Sequence, residues 1–156
     1  MLDIPSISAI VAAIGVIIGV VFTVLQLRDL VKTRQTDLVI RLYTTFGSKE
    51  YLEAYSKVVR MEFRDYNDFM EKYGWTDVNQ VGLLFEGIGV LLRRKLINVG
   101  LVDDLFTGPI KLVWNKIKPV IEVAREKIPY PQLYEWFEYL YNEMQKREQQ
   151  LASKTA

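Results

Sequence analysis

The side chains that ordinarily carry out chemistry are thinly supplied in this sequence. It holds no histidine and no cysteine. It therefore lacks the imidazole of triads and proton relays, and the thiolate of covalent catalysis, iron-sulfur clusters and most zinc sites. Carboxylates, cations and tyrosines remain. Glu62, Asp65, Asp68 and Glu71 recur every third residue, a spacing that sets carboxylates on one helical face where a cation would bind. The run lacks the glycine and the twelve-residue frame of a calcium loop, and Tyr and Phe occupy intervening positions, so it reads as a solvated acidic face. Nothing around it marks a cleft for paired-carboxylate chemistry. We expect no catalytic residue, no cofactor and no metal.

Arg93, Arg94 and Lys95 follow an apolar helix face, and Lys111, Lys116, Lys118, Arg125 and Lys127 make the next long helix basic. Such cations suit anionic headgroups or a partner, but the interleaved Glu122 and Glu126 favour a charged outer face. With 20 basic and 19 acidic residues, a net +1, no global field recruits nucleic acid. Gly82, Gly87 and Gly89 follow no strand, so they form no phosphate loop and instead admit a closely packed helix. The aromatic group Tyr130, Tyr134, Trp136, Phe137, Tyr139 and Tyr141 reads as core and rim. Glu86 sits among Leu83, Leu84, Phe85, Ile88 and Leu91 on the most apolar helix of this part. A carboxylate so placed needs a basic partner, with Arg125 the first candidate and Lys118 the second. Glu86→Ala would then strand a buried cation at a cost of about 3 to 5 kcal/mol.

The elements that position these groups begin with residues 7–27, ISAIVAAIGVIIGVVFTVLQL, which contain no ionisable side chain. As a helix they extend about 31 Å, the thickness of a bilayer's hydrocarbon. A cleaved signal peptide would begin with basic residues, whereas MLDIPSIS has an acid and none. The sequence predicts a retained transmembrane helix. All Lys and Arg lie at or after Arg28, which puts residues 28–156 in the cytoplasm and the N-terminus outside the cell membrane. On this helix Ser8, Ala12, Gly15, Gly19, Thr23 and Gln26 fall within an arc of about 80°. In lipid, small residues permit the close backbone approach that holds helices together, so the stripe predicts self-association of a single-pass chain. In a larger symmetric bundle Ser8, Thr23 and Gln26 would instead ring a pore.

Beyond Leu27 the helical pattern continues through Leu30, Val31, Leu38, Val39, Leu42 and Phe46 to Gly47. Ser48 caps a second helix over 49–63, a third covers 67–73 and ends at Gly74, and Thr76 caps a fourth over 77–97. After the turn at Asn98-Val99-Gly100, a short segment at 103–106 precedes a helix opened by Gly108-Pro109 and kinked at Pro119. Pro129 and Pro131 separate it from a last helix that frays from Lys146. No segment alternates with period two, so the fold is all-α: a transmembrane helix continuing into a cytoplasmic helical bundle.

From Phe85 onward the chain resembles a family of small membrane proteins known as a domain of unknown function, number 4760. The resembling residues are Phe85-Glu86-Gly87-Ile88-Gly89-Val90-Leu91, Leu101 to Asp104, Trp114 with Lys118-Pro119-Val120-Ile121 and Arg125, and Phe137-Glu138-Tyr139-Leu140. The resemblance implies one N-terminal membrane helix and a helical cytoplasmic domain; the family carries no assigned activity, cofactor or catalytic residue, so it supplies no mechanism. Together these readings predict a non-enzymatic, membrane-tethered interaction or scaffold module. Its partners are membrane lipid, its own copies and a cytoplasmic protein. A homo-oligomeric ion channel is the alternative.

Overall fold

The computed structural model describes the backbone of residues 4–155 and the side chains of residues 8–153. The expected outside residues Met1 to Asp3 lie outside that range, as does Ala156. Every regular element described is helical: α1 Ile4–Phe46, α2 Lys49–Arg60, α3 Tyr66–Lys72, α4 Thr76–Arg93, α5 Val99–Lys127 and α6 Glu135–Thr155. The chain divides into two compact units, Met1–Asp37 and Leu38–Ala156.

The first unit is the apolar part of α1. Its large side chains, Ile10 through Val31, are 44 to 66 % exposed, so nothing within the unit covers them. Ser8–Phe46 contains the one described stretch long and apolar enough to cross a membrane. The apolar face expected to run from Leu30 to Phe46 divides, because Leu30 and Val31 are exposed whereas Val39 is buried.

The second unit packs the end of α1 and α2–α6 around one core. Val39 is buried there, and the Phe46 ring lies 5.1 to 6.4 Å from those of Tyr51, Tyr55, Phe85 and Phe106. Ser48 caps α2 by accepting from the Tyr51 N–H, and Tyr51, Ala54 and Val58 form the buried stripe. Gly74, at φ +63°, closes α3 with its N–H on the Phe69 carbonyl; this left-handed turn is one that glycine adopts at little cost.

Several boundaries differ from the sequence reading, the first being the end of α2, which stops at Arg60 with Met61 as its cap instead of reaching residue 63. Thr76 is the first residue of α4 rather than its cap, and Trp75 occupies the cap without a side-chain bond. The helix ends at Arg93 instead of Ile97, since Lys95 turns to φ 58° and the Leu96 N–H returns to the Leu91 carbonyl. α5 is continuous from Val99, with Asn98 as its cap. Pro109 does not open it, because the buried face Val102, Phe106, Ile110, Val113 runs straight through the proline. A ring that removes one helical hydrogen bond is outweighed by that continuous burial. Finally, α6 starts at Glu135 and stays helical to Thr155, since Arg147 and Glu148 are tied to Asp103 and Lys111 of α5.

α4 and α6 lie in intimate contact. Cβ atoms added at Gly82 and Gly89 would strike the Tyr134 ring and the Trp136 carbonyl, respectively, whereas one at Gly87 meets open space. Gly82 and Gly89 thus serve the close packing expected of these glycines.

Candidate functional site

In the first unit the stripe is intact. Ser8, Ala12, Gly15, Gly19, Thr23 and Gln26 lie on one continuous helix and are all exposed. At Gly15 and Gly19 an added Cβ would meet nothing within 4 Å. The Thr23 hydroxyl donates to the Gly19 carbonyl at 2.8 Å, which satisfies the donor within its own helix, a usual arrangement for Thr in apolar surroundings. Ser8 and Gln26 remain the polar side chains facing outward on the stripe.

In the second unit the residues expected to pair do not form a direct ion pair. Glu86 Oε2 instead accepts the Phe137 N–H at 2.7 Å, and the Trp136 N–H also bonds the carboxylate. Both donors belong to the first turn of α6, whose N–H groups have no helical acceptor, and a carboxylate is the strongest cap for them. Arg125 reaches past Glu86. Its Nη1 pairs with Glu138 at 2.7 Å and its Nε donates to the Leu133 carbonyl at 2.9 Å, leaving Nη2 buried without a hydrogen-bond partner. Lys118, the second candidate, lies 3.7 Å from Glu122. The cluster is completed by Tyr134, whose hydroxyl donates to Asn79 Oδ1 at 2.6 Å. Glu86, Arg125, Glu138, Tyr134 and Asn79 thus fasten α4, α5 and the start of α6 together.

Burial pushes the Glu86 carboxyl above the ordinary glutamate range, against the lowering influence of the Phe137 and Trp136 N–H groups and the Arg125 charge. The folded state therefore holds this proton more tightly than the unfolded chain does. Its contribution favours folding below the usual carboxylate range and is lost as the pH rises. Asp68 and Asp103 have the opposite sign. The Arg64 N–H and then Lys72 hold Asp68 low. At Asp103 burial works upward, but bonds from Thr107 and Arg147 outweigh it. Their contributions are present above the aspartate range and lost as the pH falls.

Glu86→Gln keeps an acceptor for α6 and removes the buried charge. Its stability relative to the parent should rise as the pH is raised through the carboxylate range. Glu86→Ala, which uncaps α6 without stranding Arg125, should cost about 2 kcal/mol instead of the larger penalty of a broken ion pair. Denaturation at a series of pH values checks both, and a Glu86→Gln difference independent of pH would contradict the account.

The acidic run resolves into local structure. Asp65 caps α3 by accepting from the Asn67 and Asp68 N–H groups, and Asp68, only 8 % exposed, is held by the Arg64 N–H and Lys72. No group of three or more carboxylates converges on a metal position among the described residues. Of the aromatic group, Tyr134, Phe137 and Leu140 beside it are buried while Tyr130 is exposed. A groove of about 560 Å³ lined by Met61, Glu62, Phe63, Leu112, Asn115 and Lys116 has its one ammonium already donating to the Met61 carbonyl. The bonds of Arg147 to Asp103 and Lys111 to Glu148 were not foreseen, for partners so far apart in sequence leave no local signal.

The profile of a domain of unknown function (DUF4760) matches residues 9–144. The chain belongs to this family. Its shared region is wider than the C-terminal half that carried the resemblance: it takes in the apolar helix from Ala9, most of the stripe, and the bundle through Met144. Glu86, Arg125 and Glu138 all fall inside it. No curated protein and no solved structure matches the chain.

Proposed function

We propose that this chain is a membrane-tethered helical module, without catalytic activity, that self-associates through the face Ser8, Ala12, Gly15, Gly19, Thr23 and Gln26. The second unit then presents a cytoplasmic surface to a protein partner. The observation that carries this reading is an exposed, uninterrupted apolar helix with open space at Gly15 and Gly19 on one face. An apolar helix gains nothing from burial against another in lipid, so small residues that let backbones approach are the feature association needs. The polar cluster around Glu86 supports the same reading, because its contacts join α4, α5 and the start of α6.

A homo-oligomeric pore is the second reading, favoured by the outward Ser8 and Gln26 and disfavoured by the internal bond of Thr23. Stoichiometry of the full chain in detergent tests the proposal. A dimer supports the scaffold, a closed ring of about four or more supports the pore, and a monomer contradicts both. In topology, the one-sided placement of Lys and Arg puts the second unit in the cytoplasm. Protease added outside sealed right-side-out vesicles should leave it intact, and its digestion would overturn that orientation.

A further inference from the structure

We infer that the end of α4 docks onto the headgroups of anionic lipid. Val90 and Arg93 of α4, Arg94 that caps it and Trp136 of α6 line a groove of about 350 Å³. Both guanidiniums are exposed, and among the described residues neither has a hydrogen-bond or ion-pair partner for its side chain. Several other cations of the bundle are engaged, since Lys111, Arg125, Lys146 and Arg147 each hold a carboxylate. Lys95 follows in the left-handed region at φ 58°. The Leu96 N–H bonds the Leu91 carbonyl and the Lys95 N–H the Leu92 carbonyl, a helix ending at which glycine is the favoured residue. A third cation thus stands where the backbone would prefer no side chain at all.

The rim of the groove is apolar as well as basic. Val90 of the lining is 36 % exposed and Leu96, two residues beyond Arg94 in the chain, 50 %, and the half-buried Trp136 stacks edge-on against Tyr139 at 6.2 Å. Unpaired cations, an indole and exposed aliphatic side chains together match a bilayer interface. There, guanidiniums meet phosphate groups in bidentate fashion while the apolar groups enter the headgroup boundary. A helix C-terminus attracts cations by its own dipole, but that attraction accounts for neither the indole nor Val90 beside them in the groove.

This inference rests on the proposed tether, which keeps a bilayer at hand. The test uses the full chain reconstituted in phosphatidylcholine vesicles with or without phosphatidylserine. Since the protein has no cysteine, Leu96→Cys and, separately, the exposed control Leu112→Cys report access to a membrane-impermeant maleimide. Labelling at position 96 should slow about tenfold on the phosphatidylserine vesicles and be unchanged at 112. Adding Arg93→Gln and Arg94→Gln should abolish the protection, and salt at about 1 M should do the same by screening. Equal labelling at 96 on both vesicle types would overturn the inference. Protection by inorganic phosphate on pure phosphatidylcholine vesicles would also overturn it, by assigning the groove to a soluble anion. Failure of the chain to float with neutral vesicles strikes the tether instead. Chain added to preformed mixed vesicles then still gives the comparison at position 96.

Discussion

Replacing Gly89 with alanine is expected to destabilise the bundle by about 3 kcal/mol. The added Cβ would drive into the carbonyl group of Trp136, and main chain cannot rotate aside as a side chain can. Alanine gains about 1 kcal/mol over glycine in a helix interior, but the collision outweighs that gain because α4 and α6 must separate to admit the methyl group. Gly87 lies two positions away on the same helix in open space, so Gly87→Ala should stabilise by about 0.5 to 1 kcal/mol. The pair controls for propensity and isolates the close approach. Urea unfolding of the full chain in detergent checks both. Equal effects at the two positions would contradict the packing of α6 on α4.

The second large effect concerns association. Gly15→Leu combined with Gly19→Leu should weaken self-association by about tenfold or more, equivalent to at least about 1.4 kcal/mol. Each leucine side chain would hold the backbones apart and remove the contacts that close packing allows. Neither glycine has a neighbour within 4 Å in the single chain, so the fold of one copy should be untouched and the change should fall on the association constant. Sedimentation equilibrium in detergent reads it. An unchanged constant would exclude this face as the interface.

The helices whose ends rest on local chemistry were legible in the sequence. Ser48 announces α2, and Gly47 and Gly74 close α1 and α3. The apolar stripe of α4 was equally plain, and the use of Gly82 and Gly89 followed from the absence of a strand before them. Elements decided by tertiary packing were not. Pro109 looks locally like a helix start, yet Phe106 and Ile110 are both fully buried on either side of it, and that continuous face carries the helix through. Lys95 looks like one more helical residue, and nothing local announces its left-handed turn.

At Glu86 the sequence points to a basic side chain as partner, whereas the structure supplies backbone donors. Side-chain spacing points to a cation, whereas the free N–H groups at the start of α6 are invisible until that helix is placed against α4. Glu138, four residues into α6, then takes the guanidinium that Glu86 leaves. The stripe needed no tertiary information, since helical periodicity alone aligns Ser8 with Gln26.

The central claim, that copies of this chain meet along that stripe, is tested most directly by disulfide scanning in membranes. The absence of native cysteine makes every introduced thiol unique. Ser8→Cys, Ala12→Cys, Thr23→Cys and Gln26→Cys lie on the stripe, and Ile10→Cys, Ile17→Cys and Val21→Cys on the opposite face of the same helix. The account predicts that mild oxidation cross-links the first group into covalent dimers and leaves the second group monomeric. Cross-linking that is absent throughout, or that shows no helical period, would contradict it.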